Sequence, residues 1–343
     1  MVWRIGLIGF GNVGQGFVRV LRNKERYLRD RFGFEFKLIA IADPIKGNAY
    51  SDEGLDLNHI IELVDKKGSI WDYPGEKDFD SITLAKEMDI DIIVEATPTN
   101  IETGEPGLTH IKTALENGRH VVTSNKGPIA LAYRELIDIA KKNNVLLRFE
   151  GTVMSGTPAI SIAKEALAGC HIQEIQGILN GTTNFILTKM EEGYSYSDAL
   201  KEAQRLGYAE TDPTADVEGW DATVKTVILA NTVLDSDLKI KDVERMGITG
   251  ISDKDVKEAL KNGMRIKLVA KIYTDGRVVK ACVKPMKLPL TNPLANVMGV
   301  LNAITFKTDH LGDVTLVGPG AGRIETGQAL LSDILYIHRL SQE

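Results

Sequence analysis

The sequence predicts an α/β protein: a doubly wound parallel sheet first, then a second α+β domain built on an open sheet. Three observations predict this. Trp3–Ile8 is a short β-rich run that passes at once into Gly9-Phe10-Gly11-Asn12-Val13-Gly14 and then a helical pattern. Further strand-like runs end at Asp43, Glu95 and Thr123 with helical stretches between them, the alternation that yields a parallel sheet. Beyond residue 150 the pattern changes, and two strand-like runs meet across Asp275-Gly276, a hairpin signal.

The strand, glycine turn and helix give the G-x-G-x-x-G motif the context it needs. Its glycines allow a tight turn and the close approach of a pyrophosphate to a helix N-terminus, a Rossmann-type arrangement. Gly9, Phe10, Gly11, Asn12, Val13 and Gly14 are therefore candidate cofactor contacts, with Phe17, Val20, Leu21 and Leu28 on the apolar side of the helix. The second strand, Phe36–Ala42, ends at Asp43, whose carboxylate suits a ribose 2′-hydroxyl. Lys46 could instead meet a 2′-phosphate, so NAD and NADP both stay open, and Asp43 also suits the start of a turn at Asp43-Pro44. Residues 47–80 read as irregular apart from one helical piece, Leu57–Lys66.

Asp91–Glu95 reads as a buried parallel strand followed by Ala96-Thr97-Pro98. Loops at the carboxyl ends of such strands face the ligand, which makes Thr97 a candidate contact. A helix near Leu108–Asn117 and the strand His120–Thr123 lead to Ser124-Asn125-Lys126, putting Lys126 at the end of a central strand. The helix Ala130–Lys142 and the strand Val145–Phe149 close the first domain. A small-residue hinge, Glu150–Pro158, opens the second, followed by a helix over Ala159–Leu167. Gln173–Leu179 is strand-like, and Asn180-Gly181-Thr182-Thr183-Asn184 offers N–H groups and hydroxyls before a helix over Phe185–Glu192.

The most informative stretch is Ala203–Lys225, which places Glu210, Asp212, Asp216, Glu218, Asp221 and Lys225 within sixteen residues. Asp212-Pro213 suits a helix start. From about Asp216 the pattern is helical, so Asp221 and Lys225 are i and i+4, with Glu218 one turn back on the same stripe. Trp220, Val224, Val227 and Leu234 occupy the opposite face. A helix apolar on most sides is buried, and buried charges cost several kcal/mol unless paired, so a site is favoured over a surface ion pair. Farther on, a helix near Asp253–Gly263, strands Ile266–Tyr273, Arg277–Val283, Thr305–His310 and Val314–Val317, and a helix from Glu325 to Leu340 complete the reading.

Composition narrows the function class. The chain has 343 residues, is 43% hydrophobic and 26% charged, and carries a net charge of −6 with both signs interspersed, which argues against nucleic-acid and anionic-membrane partners. No apolar run reaches the length of a membrane span and no signal peptide is evident, so the cytoplasm is expected. Cys170 and Cys282 are isolated, without C-x-x-C or clustered histidines.

The stretch from Ala203 to Lys225 resembles the signature of homoserine dehydrogenases, matching at Ala203, Gly207, Tyr208, Glu210, Asp212, Pro213, Asp216, Gly219, Asp221 and Lys225. GFGNVG, EATPTN, SNK, FEGTVMSGTP, NGTTN and GPGAG match in order, so the resemblance spans essentially the whole chain. It implies reversible NAD(P)-dependent hydride transfer between L-aspartate 4-semialdehyde and L-homoserine, on the route to threonine, methionine and isoleucine. It implies Lys225 as proton donor and base, oriented by Asp221, with Lys126 as a second active-site lysine near cofactor and substrate. Glu210 and Asp216 would take the substrate ammonium, Thr182 its carboxylate, and Thr97 and Gly322 would lie near the cofactor. A monovalent cation such as sodium would be held by Glu150, Val153, Ser155 and Thr157, and the open sheet would carry substrate and homodimer surfaces. Residues 1–150 and 318–343 would form the dinucleotide domain and 151–317 the substrate and dimerisation domain. The form resembled is the short one, without aspartokinase or C-terminal regulatory domain, so no built-in feedback by threonine is expected. A phosphorylating aspartate-semialdehyde dehydrogenase is disfavoured, since neither cysteine sits in a catalytic constellation. An oxidoreductase on a related amino-acid carbonyl and a cofactor-binding regulator of the same fold are the alternatives.

Overall fold

The computed structural model describes residues 1–276 and 278–342. The chain divides into two compact units, Met1–Gly156 with Gly322–Glu343, and Thr157–Ala321, each boundary falling a few residues beyond the expected 150 and 317.

In the first unit the chain runs β1 (Val2–Ile8), α1 (Asn12–Phe32), β2 (Glu35–Ala42), β3 (Ala49–Tyr50), α2 (Leu57–Lys67), α3 (Ser81–Lys86), β4 (Ile92–Glu95), α4 (Gly107–Glu116), β5 (His120–Thr123), α5 (Lys126–Lys142) and β6 (Leu147–Arg148). The sheet order is β3-β2-β1-β4-β5-β6, parallel except for the short antiparallel edge β3. The order reverses between β1 and β4, which brings the carboxyl ends Ile8 and Glu95 side by side. In open sheets of this kind ligands bind at that switch point. The core is built from strand residues such as Ile5, Leu7, Leu38, Ile41, Ile92 and Val94, against which α1 lays Phe17, Val18 and Leu21. Edge strand β3 lies inside the stretch read as irregular, and α3 had no counterpart in the sequence reading. Helix α5 starts at Lys126 rather than Ala130, because the Asn125 side chain accepts the Gly127 N–H at 3.2 Å and caps the helix earlier. Lys126 thus opens a helix instead of ending a strand.

The second unit contains α6 (Ala159–Ser161), α7 (Gly181–Glu191), α8 (Tyr196–Arg205), α9 (Thr214–Val217), α10 (Trp220–Val233) and α11 (Asp253–Lys261). Its strands are β7 (Ile172–Ile178), β8 (Glu244–Arg245), β9 (Met264–Asp275), β10 (Val278–Pro289), β11 (Leu301–Thr308) and β12 (Asp313–Pro319), in the order β12-β11-β7-β9-β10-β8. Arg277, the expected start of the second hairpin strand, lies outside the described residues. The helix expected over 159–167 passes after one turn into a wider π-type turn over Ile162–Ala166. Helices α7, α10 and α11 pack on the sheet. Every residue of α10 from Ala222 to Thr232 is buried, which explains its nearly continuous apolar and threonine-rich sequence. The last helix, α12 (Arg323–Leu340), belongs to the first unit and packs on α1. It is pinned there by Asp333, which accepts Arg148 Nε at 3.1 Å and the Glu150 N–H at 2.8 Å.

Candidate active site

The glycine turn is held by its own strand ends. Gly9 has φ +93°, and a Cβ there would lie 2.6 Å from the Ala96 carbonyl, so only glycine fits this crossing of β1 and β4. The Phe10 N–H donates to Asp43 Oδ2 at 2.6 Å, and the other oxygen of Asp43 accepts the N–H groups of Ile45 and Lys46 at 2.9 and 2.7 Å. Asp43 therefore forms the turn at Asp43-Pro44 and ties the glycine turn to the end of β2. Lys46 turns away, its Nζ donating to the Gly68 carbonyl at 2.9 Å. Helix α1 has no acidic residue in its first turn, and Gly11 and Asn12 are exposed there. An exposed helix N-terminus without a carboxylate of its own suits a pyrophosphate.

At the carboxyl end of β4, Thr97 donates its N–H to Glu95 at 3.0 Å and its hydroxyl to the same oxygen. A contact from Thr97 to a nicotinamide must therefore use its carbonyl. Gly322, with φ +148°, precedes α12, and its carbonyl accepts the Thr326 hydroxyl at 2.7 Å. Ser155 is buried, its hydroxyl 2.7 Å from that of Thr326, and Glu150 is 3% exposed. Val153 is buried as well, and in the second unit Thr157 donates to the Pro319 carbonyl at 3.1 Å.

In the second unit the signature residues converge on Asn180. This residue caps α7, accepting the Thr183 N–H at 2.9 Å, so the helix starts at Gly181 rather than Phe185. Its Nδ2 donates to Asp216 at 2.6 Å and to Asp221 at 3.1 Å. Lys225 Nζ reaches Asp221 Oδ2 and the Leu179 carbonyl, both at 2.7 Å. The lysine is 6% exposed. A buried ammonium held by a carboxylate and a carbonyl is positioned rather than mobile. Burial pushes the Asp216 carboxyl above the ordinary range, Asn180 opposes that, and the Asp221 charge adds to it. Thr182 donates its hydroxyl to the Tyr208 carbonyl at 2.7 Å, while Glu210 is exposed.

Glu218 does not share the stripe of Asp221 and Lys225. Gly219 adopts φ +80° and separates α9 from α10. Glu218 turns instead to the Thr249 hydroxyl at 2.9 Å and, through its carbonyl, to Arg245.

Two features had no counterpart in the sequence reading. Lys267 on β9 is 0% exposed and donates to Asn184 Oδ1 at 2.9 Å and the Val297 carbonyl at 2.7 Å. Burial lowers its pKa to about 8. Its sequence signal is a lysine inside the apolar run RIKLVAKIY. Asn302, also fully buried, has neither amide atom hydrogen-bonded within the described residues and lies against Gly320.

A buried lysine paired with a partly buried aspartate beside a capped helix start can move a proton to and from a substrate oxygen. The comparisons give that chemistry its family. A family model described as homoserine dehydrogenase matches residues 158–335, and a second, the NAD-binding domain of homoserine dehydrogenase, matches residues 9–150. The chain belongs to the homoserine dehydrogenase family. It is similar to the homoserine dehydrogenase of Methanocaldococcus jannaschii, 48% identical over 98% of this chain and 99% of that one. The NAD(+)-dependent homoserine dehydrogenase of Pseudomonas canavaninivorans is 44% identical over 98% of this chain and 96% of the relative. The structure of a hyperthermophilic archaeal homoserine dehydrogenase in complex with NADPH superposes with a TM-score of 0.85 at 36% identity, covering 99% of this chain and 98% of that one. The chain is an NAD(P)-dependent oxidoreductase acting on a CH–OH group, a homoserine dehydrogenase.

Proposed function

We propose that Lys225 carries the proton of this reaction, giving it to the oxygen of L-aspartate 4-semialdehyde and taking it back from L-homoserine. The observation that supports this reading is the hold on Lys225 Nζ by Asp221 and the Leu179 carbonyl at 2.7 Å each. The nicotinamide, when bound, supplies or accepts the hydride at C4 of the substrate. Asp221 orients the ammonium and keeps a countercharge beside it. Lys126, first residue of α5, is the second donor, polarising the aldehyde or holding the carboxylate. Exposed Glu210 takes the substrate ammonium with Asp216 in support, and Thr182 at the start of α7 takes the carboxylate. An ordinary lysine titrates near 10.4, so oxidation of homoserine is favoured by alkaline conditions. The test is turnover in Lys225→Ala beside cofactor binding measured by fluorescence: loss of both together speaks against the assignment.

For the cofactor, Gly9 to Gly14 hold the pyrophosphate, Asp43 the adenosine ribose, and Thr97 and Gly322 lie toward the nicotinamide half. Asp43 at the strand end and Lys46 tied to Gly68 favour NAD over NADP. Kinetics with each cofactor in turn test this.

Glu150, Val153, Ser155 and Thr157 offer one carboxylate with hydroxyl and carbonyl oxygens, a donor set suited to a hard monovalent cation such as sodium. Thermal stability in sodium against choline chloride tests it. A homodimer is proposed on the sheet face carrying Glu174, Gln176, Thr305 and Lys307, which line an open groove. Light scattering on the purified protein decides that. No helix among the described residues is long and apolar enough to cross a membrane, and a cytoplasmic location is proposed.

A further inference from the structure

Glu95 is fully buried at the carboxyl end of β4, in the middle of the first sheet. A buried carboxylate is costly unless well supplied with hydrogen bonds, and its partners show what it joins. One oxygen accepts the N–H of Thr97 at 3.0 Å and the Thr97 hydroxyl. The other accepts the Thr123 hydroxyl at 2.9 Å from the neighbouring strand β5. The Thr123 oxygen in turn accepts the Asn125 N–H at 2.9 Å, and Asn125 caps α5, whose first residue is Lys126. Asn125 Nδ2 closes the ring by donating to the Thr97 hydroxyl oxygen at 3.3 Å. Behind the carboxylate, His110 Nδ1 stands 3.8 Å from Glu95, while its Nε2 lies 2.8 Å from the Ser81 hydroxyl.

We propose that Glu95 is a positioning residue that locks the Thr97 loop to the Ser124–Lys126 turn and so fixes Lys126. Neither loop is long enough to build a core of its own, and they leave the carboxyl ends of two paired parallel strands, β4 at the switch point and β5 beside it. A carboxylate bridging them sets the separation of a cofactor-side loop and a lysine in a way that an apolar side chain could not. Displacements of about 1 Å at a reacting group can cost roughly 100-fold in rate. The inference rests on the proposed role of Lys126.

The test uses the full-length protein and four variants: Glu95→Gln, Thr123→Val, Thr123→Ser and Lys126→Ala. Homoserine oxidation, NADH affinity by fluorescence and melting temperature are measured for each. Glu95→Gln and Thr123→Val are expected to lose about 10- to 100-fold in kcat with NADH affinity changed less than about 3-fold. Thr123→Ser, which keeps the hydroxyl, is expected to recover most of that loss. Wild-type kcat in Glu95→Gln, with Lys126→Ala inactive, overturns the inference alone. Full activity in Lys126→Ala overturns the reading of Lys126 and the inference with it. A Thr123→Ser variant as slow as Thr123→Val assigns the ring a purely structural role, which also overturns it.

Discussion

Asp221 and Lys225 stand one helical turn apart on a buried helix, and 2.7 Å separates the carboxylate oxygen from the ammonium. On an exposed helix such a pair contributes a few tenths of a kcal/mol. Here the side chains are 15% and 8% exposed, so the pair is costly to break and well placed to steer a proton. Asp221→Asn keeps the shape and removes the charge. It is expected to lower kcat about 100-fold while NADH affinity changes little, a split read from steady-state kinetics and fluorescence titration. Equal kcat in both proteins would leave Asp221 without a part in proton transfer.

Asp216 shares the Asn180 amide with Asp221, and burial raises its pKa. A raised carboxyl binds its proton more tightly in the folded state. Its stabilising contribution is complete below the unfolded value of 3.8 and is lost as pH rises through the raised one. Asp216→Asn, which cannot titrate, should therefore gain stability relative to the native protein as pH rises from about 4 toward neutrality. Urea unfolding across that range measures the difference, and a difference that shrinks with pH contradicts the account.

Lys267 titrates in the opposite sense. Its folded pKa of about 8 lies below the ordinary lysine value of 10.5. The stability it contributes is complete above 10.5 and is lost as pH falls to about 8. The stability of the native protein relative to Lys267→Met should thus rise by up to about 3 kcal/mol between those limits and stay level below pH 7. Denaturant midpoints at several alkaline pH values check it, and a flat difference would mean the lysine is hydrated.

Asp43 gives a prediction about cofactor choice. If Asp43 faces the adenosine ribose as proposed, Asp43→Asn removes a charge that would disfavour a 2′-phosphate while keeping one acceptor for the Phe10 N–H. The ratio of kcat/KM for NAD over NADP should fall about 10-fold, a shift of about 1.4 kcal/mol. An unchanged ratio would place cofactor selection elsewhere.

Much of this was legible in the sequence because it depends on near neighbours. The turn from Gly9 to Gly14, the strand ending at Asp43 and the i, i+4 spacing of Asp221 and Lys225 are local patterns, and the fold keeps all three. Gly219 shows where local reading stops: the left-handed turn there cuts the expected stripe and sends Glu218 to Thr249. Asn180 looked like one polar residue in a turn, yet it collects two carboxylates that lie 36 and 41 residues away in sequence. Glu95 read only as the end of a buried strand, because its second-strand partner Thr123 is 28 residues distant. The burial of Lys267 depends on Asn184 and Val297, which only the folded sheet brings to it.

The most direct test of the central claim is the absorbance of NAD(P)H during L-homoserine oxidation at alkaline pH, in the native protein and in Lys225→Ala. The account predicts steady growth of the band in the native protein, none in the variant, and near-equal cofactor affinity in both. Native-like growth in Lys225→Ala would contradict it and move the proton to another residue.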